Sequence, residues 1–135
     1  MATWQGYLRE SHRFWDAAET CRDARHTSQA VSNAVLAVIA ANDAVCLYLA
    51  GATAGGKSHA EAARALQRAC RGTRLEEACA QQSRLLADVL QQKTAAQYLG
   101  KPMGSDVAHR VMQQAERFIG WVEDVLPPTG SVEDD

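Results

Sequence analysis

A chain of 135 residues with 47% hydrophobic and 22% charged residues has the size and composition of one globular domain with one core, stable without disulfide or metal staples. Alanine is abundant while aromatics are only 6%, a mixture that favours helices packed through small side chains and an all-α fold. A formal net charge of -2 excludes bulk electrostatics as a reason to bind nucleic acid or a membrane surface, so any such binding needs a local patch.

The amino terminus, MATWQGYLRESHRFW, carries charges where a secretory signal needs an apolar run, and no stretch reaches the roughly 20 apolar residues that span a bilayer. The expected compartment is the cytoplasm, with no membrane partner. Cys21, Cys46, Cys70 and Cys79 each fall inside a helical pattern, and none forms a Cys-x-x-Cys pair. They are expected as buried small hydrophobes, neither disulfides nor zinc ligands. His12, His26 and His109 have no carboxylate or cysteine at metal spacing beside them. No metal site and no cofactor are expected.

The spacing predicts a first helix over about 3–25, with Thr3 as its cap and Trp4, Tyr7, Leu8, Phe14, Trp15, Ala18 and Cys21 on one face. His26, Thr27 and Ser28 interrupt the pattern and can cap a second helix over 27–50. So short a turn makes the two helices antiparallel neighbours. Along the second helix Val31, Val35, Val38, Val45 and Leu49 recur at three-four spacing, and Leu36, Ile39, Cys46 and Leu47 cover much of the opposite side. A helix apolar on both sides is surrounded by other helices or by lipid, and Asn33, Asn42 and Asp43 within it argue against lipid. It is read as the central helix of a bundle. Asn42 and Asp43 need partners if buried, and Tyr48 and His59 are the candidates. Fixing helix register is a sufficient reason for such a network, and ligand binding is the second reading.

The glycine-rich loop GATAGGKS follows, and Gly51, Gly56, Lys57 and Ser58 match a phosphate-binding Walker A loop letter for letter. That motif needs a strand before it and a parallel sheet around it, whereas a helix precedes it here. The simpler reading has Gly51 ending one helix and Ser58 capping the next in a box with Glu61. This third helix, over about 58–70, is expected to bury Ala62, Ala63, Leu66 and Cys70. Its other side carries Arg64, Arg68 and Arg71, a basic stripe that suits phosphates but that, without interleaved aromatics, suits a solvated face better.

Thr73 and Glu76 form a second capping box and start a fourth helix that runs to about Tyr98, burying Leu75, Ala78 or Cys79, Leu85, Leu86, Val89 and Ala96. The loop LGKPMGS then leads to a fifth helix over about 105–125, capped by Ser105 with Asp106 and burying Val107, Val111, Ala115, Phe118 and Val122. Pro127 and Pro128 stop it. A single domain over 1–126 and a mobile acidic tail over 127–135 are expected.

A long aromatic-bearing helix, a small-residue helix ending NDAVCLYLAG, a glycine loop, a helix opening SHAEAARAL, and two further helices joined after KTAAQY together resemble the HEPN superfamily. The resemblance runs from about Tyr7 to Val122. It implies an up-and-down antiparallel bundle of four to five helices that forms a symmetric homodimer. It also implies a nucleotidyltransferase-type or antitoxin partner protein, or the binding of RNA or a nucleotide. Catalytic members are metal-independent ribonucleases with an arginine, four to six residues, and a histidine. At that place this chain has Lys93, four residues including Gln97, and Tyr98. Histidine moves protons near neutral pH, whereas tyrosine, with an ordinary pKa near 10, does not. Lysine still offers one positive charge to a phosphate, without the bidentate fork of arginine. The expectation is a domain that binds without cleaving. An altered ribonuclease using Lys93, Tyr98 and His59 is the first alternative, and an unrelated adaptor bundle the second. Packing alone would also account for Lys93 as a solvated residue and Tyr98 as a residue closing the bundle.

Overall fold

The computed structural model describes residues 2–54, 58–98 and 103–128, with residues 94–98 described by their backbone alone. Among the described residues every regular element is a helix: α1 (Trp4–Asp23), α2 (Thr27–Ala50), α3 (His59–Cys70), α4 (Glu76–Tyr98) and α5 (Ser105–Val125). The chain is an all-α bundle, and residues 129–135 of the acidic tail and residues 55–57 of the glycine-rich loop lie outside the described residues.

α1 begins where the Thr3 hydroxyl accepts the Gly6 amide at 3.0 Å. It ends in a Schellman turn, with the His26 amide donating to the Cys21 carbonyl at 2.8 Å and the Arg25 amide to the Arg22 carbonyl at 2.9 Å. Arg25 takes the left-handed position at φ 65 that such a turn demands, a conformation usually left to glycine. The reversal is tight, and α2 runs back along α1: Trp4 stacks edge-on against Tyr48, the Ser11 hydroxyl donates to the Ala37 carbonyl at 2.7 Å, and Cys21 faces Asn33. One number falls as the other rises, so the pair is antiparallel.

α2 packs against each of the other four helices, as its two apolar sides require. By length and composition it is the one described helix that passes as a bilayer span, with a mean hydropathy of 1.7 over its most apolar window. Burial of 67% of that window inside the protein accounts for this apolarity. Its small residues Ala30, Ala34, Ala37, Ala41 and Ala44 are buried and let the neighbours come close. Around it Leu66, Leu86, Val89, Val111, Phe118 and Val122 complete the core. The α1 aromatics Trp4, Tyr7, Phe14 and Trp15 are only partly buried and flank this core.

Two expected caps do not form. The α2 N-cap is His26 and the α5 N-cap is Gly104, and neither makes a side-chain cap bond. Instead the Thr27 hydroxyl donates to the Met103 carbonyl at 2.9 Å, and the Met103 amide donates to the Ser28 hydroxyl at 3.3 Å. The residues read as caps tie the start of α5 to the start of α2. These two helices therefore run in the same direction, and α1 lies antiparallel to both, with His12 at 2.6 Å from Glu123.

The expected Ser58 cap of α3 forms, whereas Thr73 and Glu76 do not pair reciprocally as a box and instead bond to their neighbours' amides. The Ser58 hydroxyl accepts the Glu61 amide at 3.1 Å and donates to the Glu61 carboxylate at 3.3 Å. Before α4, the Thr73 hydroxyl accepts the Leu75 amide at 3.0 Å and the Glu76 carboxylate accepts the Gly72 amide at 3.2 Å. In α3 the buried set is Ala62, Leu66, Ala69 and Cys70, with Ala63 half-buried. In α4 Cys79 is inside and Ala78 outside.

Candidate functional site

Three helices and one loop leave a cavity of about 290 Å3 between them. α2 supplies Ile39 and Asn42, α3 supplies His59 and Ala62, and α4 supplies Leu86, Leu90 and Lys93, while Ala54 and Ser58 close it from the loop. Each helix contributes residues three or four apart, which is the spacing of one face. Sequence periodicity marks the apolar members as core, and nothing in their letters distinguishes a core contact from a cavity wall.

Asn42 is 2% exposed. Its amide donates to the Ala62 carbonyl at 3.4 Å, and its carbonyl oxygen accepts the Cys46 thiol at 3.8 Å. Both bonds are long, so a buried amide with capacity for four hydrogen bonds is weakly satisfied. Asp43, half-buried, accepts the Ala54 amide at 3.1 Å. Gly51 closes α2 in the left-handed conformation at φ 77, and Asp43 then pins the returning loop against the helix. Burial pushes the Asp43 carboxyl above its usual range, and the Ala54 amide works against that shift. In place of the network expected with Tyr48 or His59, the two residues bond to the Ala62 carbonyl, the Cys46 thiol and the Ala54 amide. Tyr48 is 43% exposed, with its ring against Trp4 at 5.6 Å.

Lys93 and His59 line the same cavity, from different helices and 34 positions apart in the sequence. Lys93 is half-buried and makes no ion pair with a described residue. The backbone of Gln97 and Tyr98 forms the last turn of α4, and their side chains, with Ala96, lie outside the described residues. Gly56 and Lys57 of the Walker-like loop also lie outside them. Ser58, the last letter of that pattern, is occupied as the α3 cap.

Arg64, Arg68 and Arg71 are exposed and make no ion pair with a described residue. Arg64 stands two residues from Ala62, roughly 200° around the helix, so the stripe faces away from the cavity. Arg68 sits in the last turn of α3, where a cation complements the helix dipole.

The cysteines are free. Burial, with Asp43 adding to it, pushes the Cys46 thiol up to about 12. Burial, followed by a hydrogen bond with Cys79, does the same for Cys70, also to about 12. At neutral pH both are thiols, not thiolates, and poor nucleophiles. Among the described residues no cluster of His, Cys, Asp and Glu is placed to hold a metal ion.

Comparison with family models, curated proteins and solved structures returns no match. The chemistry of the cavity therefore carries the functional reading. Its described lining holds one ammonium, one imidazole, one buried amide and otherwise mainly apolar side chains, a set that suits binding.

Proposed function

We propose that this chain is a HEPN-like helical domain that works by binding and not by catalysis, with the α2–α3–α4 cavity as its site. The observation that carries this reading is Lys93, without an ion-pair partner among the described residues, on an otherwise largely apolar cavity over the buried Asn42. An unpaired cation beside apolar walls recruits an anionic ligand, and no described carboxylate lines the cavity to serve as a general base. The resemblance also implies association as a homodimer. The resemblance adds an antitoxin or nucleotidyltransferase-type partner to this proposal.

One specific observation favours a second reading. A ribonuclease with an altered site needs His59 beside Lys93 in a cleft, and both line this cavity. An adaptor bundle without a site needs neither. The three readings separate on one experiment: labelled total RNA incubated in EDTA with the purified chain and with Lys93→Ala and Tyr98→Phe. The binding reading expects no cleavage above background in any of them. Cleavage that disappears in either variant would overturn it in favour of the ribonuclease. In parallel, Arg64→Glu, Arg68→Glu and Arg71→Glu together should leave RNA affinity and its salt dependence unchanged, because the stripe faces away from the cavity.

A further inference from the structure

We infer that Cys70 and Cys79 form a redox pair, which a hydroperoxide converts from two packed thiols into a disulfide that fastens the short helix α3 to α4.

Placement comes first. Cys46 of α2, Cys70 of α3 and Cys79 of α4 are all buried and free. Cys70 is the last residue of α3, and Cys79 stands in the first turn of α4. The corner between them is held from both sides. Thr73 donates to the Cys70 carbonyl through its amide at 3.0 Å and its hydroxyl at 2.6 Å, and the Cys79 amide donates to the Leu75 carbonyl at 2.8 Å. Across this corner the Cys79 thiol donates to the Leu66 carbonyl at 3.5 Å. That carbonyl is the helical acceptor of the amide four residues on, which is Cys70. The Cys79 sulfur therefore reaches the turn of α3 that Cys70 closes, and there the two thiols share a hydrogen bond. Cys46 is the third thiol of the cluster, but it donates to the Asn42 carbonyl of its own helix at 3.8 Å. That leaves Cys70 and Cys79 as the pair.

The chemistry balances with a hydroperoxide as oxidant. One sulfur, as thiolate, attacks a peroxide oxygen and breaks the O–O bond, leaving a sulfenic acid. The other sulfur then displaces the sulfenic hydroxyl as water, and the S–S bond forms. With hydrogen peroxide, two thiols and one peroxide give one disulfide and two waters, so the sulfurs are oxidised and the peroxide oxygens reduced. Burial keeps the Cys70 thiol protonated at neutral pH, so oxidation waits for the end of α3 to lift from α4. Among the described helices α3 packs on α2 and α4 alone. A bond at its last residue closes a short loop around the corner and removes that opening.

The test treats the full reduced chain, without denaturant, with hydrogen peroxide at neutral pH. Remaining thiols are blocked with N-ethylmaleimide, and the chain is digested with trypsin before any reduction. Arg71 and Arg74 lie between the two cysteines, so trypsin separates their peptides unless a disulfide joins them. Mass spectrometry should find the Cys70 and Cys79 peptides linked, lighter by two hydrogens, and released by dithiothreitol. This link should exceed any disulfide through Cys46 by roughly tenfold or more, and Cys70→Ser or Cys79→Ser should abolish it. Amide hydrogen exchange over α3 should slow by roughly tenfold or more in the oxidised chain and stay unchanged over α1. A dominant link through Cys46, or Cys70 and Cys79 each oxidised singly to a sulfinic acid, overturns the pairing. So does the absence of the link at a peroxide dose that oxidises the half-exposed Cys21. A link that leaves exchange over α3 unaltered overturns the fastening of that helix. The peptide map and the exchange both use the unaltered chain, so they decide the question even where a variant fails to fold.

Discussion

Replacing Asn42 by leucine is expected to stabilise the fold. The side chain is 2% exposed, and its two partners stand at 3.4 Å and 3.8 Å. Burying an amide costs about 1–3 kcal/mol in proteins, and bonds this long return only part of that. Leucine removes the cost, adds buried apolar area, and gains roughly 0.5 kcal/mol in helix propensity. Its extra volume has somewhere to go, because the cavity begins beside it. The Ala62 carbonyl also loses nothing essential, since it lies within α3 and keeps its helical acceptor role. The sum is a gain of about 1–2 kcal/mol. In urea, at about 1–3 kcal/mol per molar, the midpoint should rise by roughly 0.3–2 M with the slope unchanged. A loss of stability greater than about 2 kcal/mol in Asn42→Leu would refute the reasoning and make Asn42 a register-fixing core residue instead.

The remaining predictions concern Asp43, the turn at Arg25, and the thiols. Burial raises the Asp43 carboxyl in the folded state, so the folded chain holds this proton more tightly than the unfolded chain does. Its contribution is then fully present below the ordinary carboxyl value near 3.9 and is lost as pH rises through the raised folded value. Asp43→Asn keeps an acceptor for the Ala54 amide and should gain stability relative to the parent as pH rises from 4 to 7, measured by urea unfolding. A constant difference across that range refutes it. Arg25→Gly relieves the left-handed strain at φ 65 and should raise the thermal midpoint, by about 1 kcal/mol of stability. Ellman's reagent on the native chain should report only Cys21, the half-exposed member of the four free cysteines, and all four after denaturation. Rapid native labelling of Cys46 or Cys70 would contradict their protonated, buried state.

The bundle was legible because its cause lies in periodicity and capping. The two-sided apolar pattern of 27–50 fixed α2 at the centre, and Ser58 with Glu61 marked the start of α3. What the letters hid was the identity of backbone partners. Asn42 and Asp43 were expected to meet Tyr48 or His59, yet they bond to the Ala62 carbonyl and the Ala54 amide, groups that every residue carries and no letter announces. Thr27 and Ser28 misled for a related reason. Hydroxyls beside a helix start suit capping, but Met103, far along the chain, competes for them once α5 is docked. The meeting of His59 and Lys93 followed only from family spacing. Cavity walls such as Leu86 and Leu90 look like any other core residues in the sequence, because a void has no residue of its own.

The void itself follows from a mismatch of lengths. α3 has 12 residues, about 18 Å at 1.5 Å per residue. Its neighbours α2 and α4 have 24 and 23 residues, about 36 Å and 35 Å by the same rise. A helix half as long as the groove it fills leaves the rest to be covered by something else. At the end where α3 packs fully, Leu66, Cys70 and Cys79 are buried against α2 and the core is closed. At the other end the described covering is Ala54 and Ser58 of the loop. Asn42 lies in α2 where the covering passes from helix to loop, and Lys93 stands in α4 beyond the start of α3. The polar groups of the site thus fall where the helical covering ends. On the proposed reading, what binds there completes a layer that α3 is too short to complete.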